Sequence, residues 1–267
     1  MNILYVCIIL TLIVILILKL NAERSFPLLV KRLLANVQIS EKTFSYSQLE
    51  GLPEPVQGYF RRVLKEGQPY LDSSRITHGG WFRTDPKKPR MKIRGREYDC
   101  ANPPGFVWEG ITPSFSGIDS YVAGRGRLTI RLFSLFKIID AAGPTYDEGE
   151  LLRWLGNCTL LPTALLPNEY ISWSPEDENS ANLHLNYQGV SVGCRVRFNA
   201  QRELVQLESR RWMNEKRQED WVGRCSRYRE INGVLVPTRL QVGWKLKEGE
   251  FSYALFEIQT IEYNPSR

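Results

Sequence analysis

Between residues 109 and 150 the chain carries six carboxylates: Glu109, Asp119, Asp140, Asp147, Glu148 and Glu150. Two carboxyl groups held about 5–10 Å apart across a cleft can cleave a glycosidic bond, one as acid and one as base or nucleophile. Spacing along the chain does not supply that distance, and Asp147 and Glu148 have a simpler use. They follow Thr145 in a capping-box arrangement, where negative charge favours a helix N-terminus. A second candidate, Gly189-Val190-Ser191-Val192-Gly193, has the G-x-S-x-G form of a nucleophile elbow. An elbow turns from strand into helix and draws on a histidine later in the chain. Here the following CRVRFN continues as strand, and both histidines, His78 and His184, come earlier. No hydrolase elbow is expected, and no residue is assigned as catalytic.

Metal and nucleotide chemistry also lack their motifs. There is no H-E-x-x-H, and the five cysteines show no C-x-x-C spacing. Gly124-Arg125-Gly126 opens like a dinucleotide fingerprint, but position 129 is Thr and strand lies on both sides. Neither a metal nor a cofactor is expected. Asn157-Cys158-Thr159 is formally a glycosylation sequon. Arg210, Arg211, Lys216 and Arg217 surround Trp212 and Trp221, a pattern that could stack nucleic acid. Glu208, Glu215, Glu219 and Asp220 are mixed in and would repel phosphate, so this stretch reads as a solvated hairpin tip. The net charge of +6 is likewise spread among acids, and no nucleic-acid partner is expected.

The elements that position these residues are mostly strands. Val190, Val192, Cys194, Val196 and Phe198 share one face, and so do Leu240, Val242, Trp244 and Leu246. Turns such as Asn232-Gly233 and Lys247-Glu248-Gly249 separate such runs, which predicts an antiparallel meander from about residue 74 onward. Two helices interrupt or precede it. One spans 53–66, with Val56, Tyr59, Phe60, Val63 and Leu64 as an apolar stripe; the other spans 147–156. A long sheet with one apolar face and so few helices to cover it implies a curved half-barrel wrapping one or two helices, an α+β and mostly antiparallel fold.

Ahead of this domain, Ile3 to Leu18 carries no charge. At about 1.5 Å per residue it spans about 24 Å, which Leu20 and a snorkelling Lys19 extend toward the ~30 Å hydrocarbon core. The absence of a basic start and of small residues before a cleavage site favours a retained transmembrane helix over a signal peptide. The expected organisation is therefore an anchor at 1–20, a juxtamembrane helix (26–37) and linker at 21–50, and one β-rich domain at 51–267. Lys19, Arg24, Lys31 and Arg32 follow the apolar run, which by charge places the domain on the cytoplasmic side. Cys100, Cys158, Cys194 and Cys225 fit two disulfides or four buried thiols equally well.

The stretch Gly149-Glu150-Leu151-Leu152-Arg153-Trp154-Leu155 leaves little polar face, so the helix is expected to be covered on most sides. Arg153 then needs a partner, and Glu150 stands three residues away. Prolines 162 and 167 make Leu160 to Leu166 an apolar loop that either fills the half-barrel or gates it.

Together with Leu52-Pro53-x-Pro55-Val56-Gln57-x-Tyr59, Gly80-Trp81-Phe82-Arg83, Pro104-Gly105-Phe106-Val107-Trp108, Asp119-x-Tyr121-x-x-Gly124-x-Gly126, Pro162-Thr163-Ala164-Leu165-Leu166 and Val236-Pro237, this stretch carries a resemblance. Over about residues 50 to 263 the chain resembles an uncharacterised prokaryotic family, a domain of unknown function. Where that family often has an acidic residue after the helix, this chain has Asn157. The pattern is similar to the lipoprotein-carrier folds, whose resemblance implies a curved antiparallel sheet that wraps helices and holds acyl chains, and implies a domain outside the cytoplasm.

The sequence thus predicts a single-pass membrane protein, anchored through residues 3–20, that binds a lipid or acylated ligand without catalysis. Trp108, Tyr121, Trp154, Leu155 and Leu165 are expected to line the cavity, with Arg153 meeting a headgroup or Glu150. Two other readings stand beside this one: a hydrolase using Glu109, Asp119 and Glu150 at the cavity mouth, and a structural module with a closed core that presents a sheet to a partner protein.

Overall fold

A computed structural model describes residues 3–265. The apolar N-terminal run forms helix α1 (Ile3–Ala35), which continues without a break through the segment expected as a separate juxtamembrane helix. By length and composition it can cross a membrane. A linker leads to α2 (Glu54–Val63), which begins after Pro53. Proline suits that position, because the first helical N–H groups have no partner within the helix. The Val56, Tyr59, Phe60 and Val63 stripe is fully buried, each side chain contributing ~1.5–3 kcal/mol by leaving water.

The remaining chain is two meanders and a helix. β1 (Ser73–Phe82) and the short β2 (Met91–Lys92) lead into β3 (Arg94–Cys100), β4 (Gly105–Ile111), β5 (Phe115–Val122), β6 (Arg125–Leu132) and β7 (Phe136–Ala142). Then comes α3 (Pro144–Asn157), followed by β8 (Ile171–Asp177), β9 (Ser180–Tyr187), β10 (Val190–Phe198), β11 (Leu204–Asn214), β12 (Arg217–Ile231), β13 (Val234–Leu246) and β14 (Gly249–Tyr263). All belong to one sheet in the order β7-β6-β5-β4-β3-β1-β14-β13-β12-β11-β10-β9-β8, with β2 paired to the end of β1. Neighbours are antiparallel throughout. The predicted tight turn at Asn232-Gly233 is present, with φ of +50° and +81°, a left-handed pair that matches the strand twist of a two-residue hairpin.

β1 fuses the two meanders, since it pairs with β3 on one side and β14 on the other. The sheet therefore ends at β7 and β8, and α3 is the connection between those two edges. To join them it crosses the apolar face, so the sheet must curve around it. The expected half-barrel is the fold that results. α2 covers the same face beneath β8–β13, with Tyr59 against Phe198 (5.7 Å) and Phe60 against Trp173 (6.3 Å). The Leu160–Leu166 loop forms two short 3-10 turns and is buried throughout. It packs into the half-barrel, as the filling alternative expects.

The convex face has its own cover. Phe26 and Leu33 of α1 are buried against Cys100, Val107 and Ile118 of β3, β4 and β5. Cys100, Cys158, Cys194 and Cys225 are buried thiols, which decides between the two cysteine readings. The G-x-S-x-G stretch is a turn followed by β10, with the Ser191 hydroxyl bonded to Asn186, and the other histidine, His184, meets Ser174 on an exposed stretch.

A cavity over a buried ion cluster

Above α3 the two halves of the sheet do not meet, and they leave a cavity of about 480 Å³. Its walls are mostly apolar, with Phe115, Ile130, Trp221, Trp244, Phe251 and Phe256 among them. Alternation explains the lining: β5 and β6 present Phe115, Gly117 and Asp119, and Leu128 and Ile130, while β13 presents Leu240, Val242 and Trp244. Glycines make room for the largest groups. A side chain at Gly110 would run into Trp108, and one at Gly95 into His78.

Polar groups gather on the floor, because α3 crosses the strands and each of its turns faces a different one. Asp147 accepts from the Gly126 backbone N–H (2.7 Å) and from Arg125 (3.0 Å). Glu148 accepts from the Trp212 indole (3.1 Å). Glu150 lies 3.5 Å from Arg211 of β11, whose Nε also donates to the Gly149 carbonyl (3.2 Å). Arg153 donates to Asp119 of β5 and lies 4.0 Å from Glu97 of β3. Asn157 donates to Glu97 (2.6 Å) and Asp99 (3.1 Å). The Arg153 guanidinium also sits over the Trp108 and Phe106 rings, at 4.7 and 5.0 Å, where the ring quadrupole attracts a cation.

Burial sets the protonation of this floor. It pushes Glu150 up to about 7, helped by the Asp119 charge and opposed by Arg211 and Arg153. It pushes Asp99 up to about 7 despite hydrogen bonds from Asn157 and Ser74. Glu97 rises well above the carboxylate range through burial and the adjacent Asp99. For Arg153, burial pulls downward, but Asp119, Glu97 and Glu150 outweigh it and keep the guanidinium charged. Burial holds His78 down to about 4. Its Nε2 accepts from the Trp108 indole (2.8 Å), which leaves Nδ1 to donate to the Gly79 carbonyl (3.1 Å). Two lining carboxylates keep an oxygen with no hydrogen-bond partner, Asp119 Oδ1 and Glu150 Oε2. Buried acceptors of this kind favour a donor placed against them.

Several sequence expectations change here. Trp108 and Arg153 line the cavity, whereas Tyr121, Trp154, Leu155 and Leu165 are buried elsewhere in the core. Trp154 is held there by its indole, which donates to the Cys100 carbonyl (2.8 Å). Arg153 does not pair with Glu150: sheet carboxylates lie directly opposite it, and Glu150 turns to Arg211. The capping box at Thr145 does not form, since Gly143 is the N-cap and Asp147 is drawn to β6. Glu109 sits on the other side of the sheet, bound to Arg96 (2.7 Å), so the trio Glu109, Asp119 and Glu150 is split. The segment read as a solvated tip contains Trp221, which is buried, and Trp212 and Arg211, which line the cavity. Trp221 shares one face of β12 with Gly223 and Cys225, a period-two spacing visible in the sequence. The sequon is occupied by structure, as the Asn157 amide binds two carboxylates and Thr159 is buried. Among the described residues, no group of three or more His, Cys, Asp or Glu is arranged to hold a metal ion.

Residues 42–256, which include every residue of the ion cluster, match a family of unknown function, DUF6544. The chain belongs to this DUF6544 family. No curated protein matches it. Among solved structures, this DUF6544 chain is similar to a LolA-superfamily protein from Nitrosomonas europaea, with a TM-score of 0.45 and 10% identity over 80% of this chain and 93% of that one. It is also similar to a putative outer membrane lipoprotein-sorting protein domain from Vibrio parahaemolyticus, with a TM-score of 0.43 and 9% identity over 79% of this chain and 91% of that one.

Proposed function

We propose that this chain is a membrane-anchored binding protein that holds a hydrophobic, lipid-like ligand in the half-barrel cavity. The observation that carries this reading is the cavity itself. Its ~480 Å³ lies within the range of small-molecule sites, its walls are largely aromatic and aliphatic, and its polar groups converge on one floor. An apolar body against the walls and a polar end on the floor describe an amphiphile. The 33-residue helix α1, exposed along its apolar half, supports the anchor.

The floor also bears on the ligand's polar end. Arg153 is already committed to carboxylates, so an anionic headgroup would compete with Asp119 and Glu97 for it. Of the oxygens without partners, Asp119 Oδ1 is an acceptor, and Glu150 Oε2, on a carboxyl pushed up to about 7, can accept or donate. A hydroxyl or amine headgroup therefore fits this floor better than a phosphate. The test is mass spectrometry of the full chain purified after mild extraction. An amphiphile recovered with the protein and displaced by a long-chain alcohol is the expected result. Protein that stays free of lipid, and that binds neither a long-chain alcohol nor an amine, would sink the reading. The hydrolase alternative has lost Glu109, and the structural-module alternative called for a closed core.

A further inference from the structure

The direction in which α1 leaves the sheet has a consequence for the cavity. Gln38, just after the helix, donates to the Asn102 carbonyl between β3 and β4 (2.9 Å). Leu33 packs against Gly105 at the start of β4. Phe26 lies against Tyr98 (6.2 Å between ring centres) and beneath the Arg96 guanidinium (4.1 Å). Followed toward its N-terminus, α1 thus runs back along β3 from residue 102 to 96, toward Lys92 and the turn after Ile111. That is the end of the half-barrel at which Phe82, Ile93, Phe115 and Met213 line the cavity. The opposite end is closed by the buried Phe106, Tyr121 and Trp154.

Two further features share this open end. The stretch from Arg83 to Arg94, a loop with the short β2 and the start of β3, carries six Lys or Arg and a single acid, Asp85. Asp85 is occupied by the Lys87 backbone N–H (2.8 Å), while Lys87, Lys88, Arg90, Lys92 and Arg94 are exposed. Beside it, the β6–β7 hairpin exposes Phe133 (64%), Phe136 (48%) and Ile138 (57%). Its tip is tied to the neighbouring turn by the Phe133 N–H, which donates to the Ser114 carbonyl (2.8 Å). The lengths agree as well. Between the end of the apolar run and Phe26, α1 has seven polar or mixed residues, Lys19 to Ser25, about 10 Å of helix. From Arg96 to Lys92 the neighbouring strand extends about 13 Å. The headgroup level set by Lys19 therefore coincides with the basic loop and the aromatic tip.

We propose that the open end of the half-barrel is a membrane-docking face that seats on an anionic bilayer and turns the cavity mouth to the lipid surface. Exposed aromatic tips enter the interface, and clustered Lys and Arg are drawn to anionic headgroups. A ligand then passes between bilayer and cavity without crossing water. The proposal rests on α1 being the anchor.

The test uses the full chain in vesicles of phosphatidylcholine with phosphatidylglycerol and a trace of headgroup-nitroxide lipid, in a Cys7→Ser background. A fluorophore is placed by Phe133→Cys at the tip, or by Gln201→Cys beyond the other end of β11. Quenching is expected to be several-fold stronger at 133 than at 201. It should weaken without phosphatidylglycerol, in ~1 M salt, where the screening length falls to ~3 Å, and in Lys87→Glu/Lys88→Glu. Each removed cation is worth about fivefold in docking. Equal quenching at both positions, or none at 133 while the vesicles retain the chain, overturns the docking and leaves the anchor standing. Release of the chain by alkaline carbonate overturns both.

Discussion

Glu150 shows how far burial, with a like charge beside it, can move the chemistry of a residue. It and Asp99 titrate near 7 in the folded chain, against about 4 when unfolded. Between about pH 4 and 7 the folded state keeps protons that the unfolded state has released, so their effect is to lower stability as pH rises through that window. His78, held near 4, acts in the opposite sense. The unfolded chain binds a proton below about 6.5 that the folded one refuses, so its contribution grows with pH from about 4 to 6.5. Glu97 is raised in the same sense, so the carboxylates outweigh the one histidine, and their net effect is a loss of stability toward neutral pH. In Glu150→Gln, the urea midpoint should decline less between about pH 5 and 8, and the variant should exceed the parent at pH 8 by on the order of 2 kcal/mol. Curves that superimpose would show that Glu150 titrates as an ordinary exposed carboxylate. None of this was legible along the chain, where Glu150 has Arg153 as its obvious neighbour. The pairing was decided by Asp119, 34 positions away from Arg153.

Helix α1 does two jobs with one continuous element. Its first half is apolar and exposed, while its second half buries Phe26 and Leu33 against the back of β3, β4 and β5. The sequence marked both segments and separated them, because Lys19 to Ser25 interrupts the apolar pattern without interrupting the helix. The seam fixes the direction of the apolar half of α1 relative to the sheet. Leu33→Ala deletes three buried heavy atoms opposite Gly105 and should cost about 2–5 kcal/mol of local stability. Amide hydrogens of β4 are expected to exchange faster in that variant, with those of β12 and β13 unchanged. Uniform acceleration across the sheet would mean that α1 is part of the global fold and not a docked element.

At the scale of the whole molecule, the cavity exists because the sheet is longer than its two covering helices can fill. Gly117 marks the gap most directly: a Cβ there would have 3.8 Å to Trp108 and 4.0 Å to Thr129 as its nearest contacts, with no positive φ to strain. Gly117→Leu should therefore occupy the cavity from the wall and keep the fold. It is expected to abolish retention of an amphiphile while leaving the thermal midpoint of the lipid-free protein within a few degrees of the parent, since filling a void adds contacts. The parent should gain about 2.7 kcal/mol with ligand at ~100-fold over its Kd, and the variant none. Equal ligand stabilisation of both proteins would place the binding site elsewhere.

Periodicity made the architecture readable. Residues two apart on strands and three or four apart on α2 repeat their hydropathy locally, so the curved antiparallel sheet and its buried helices follow from the sequence, as does the apolar helix at the start. The turns at 232–233 and 247–249 were readable for the same reason. What the tertiary structure decided was non-local: which strand each turn of α3 would face, where the Leu160–Leu166 loop packed, and which side of the sheet Glu109 took. A charge buried between distant strands chooses its partner by proximity in space. For that reason the floor of the cavity, and the end of the barrel that α1 points to, appear only once the chain is folded.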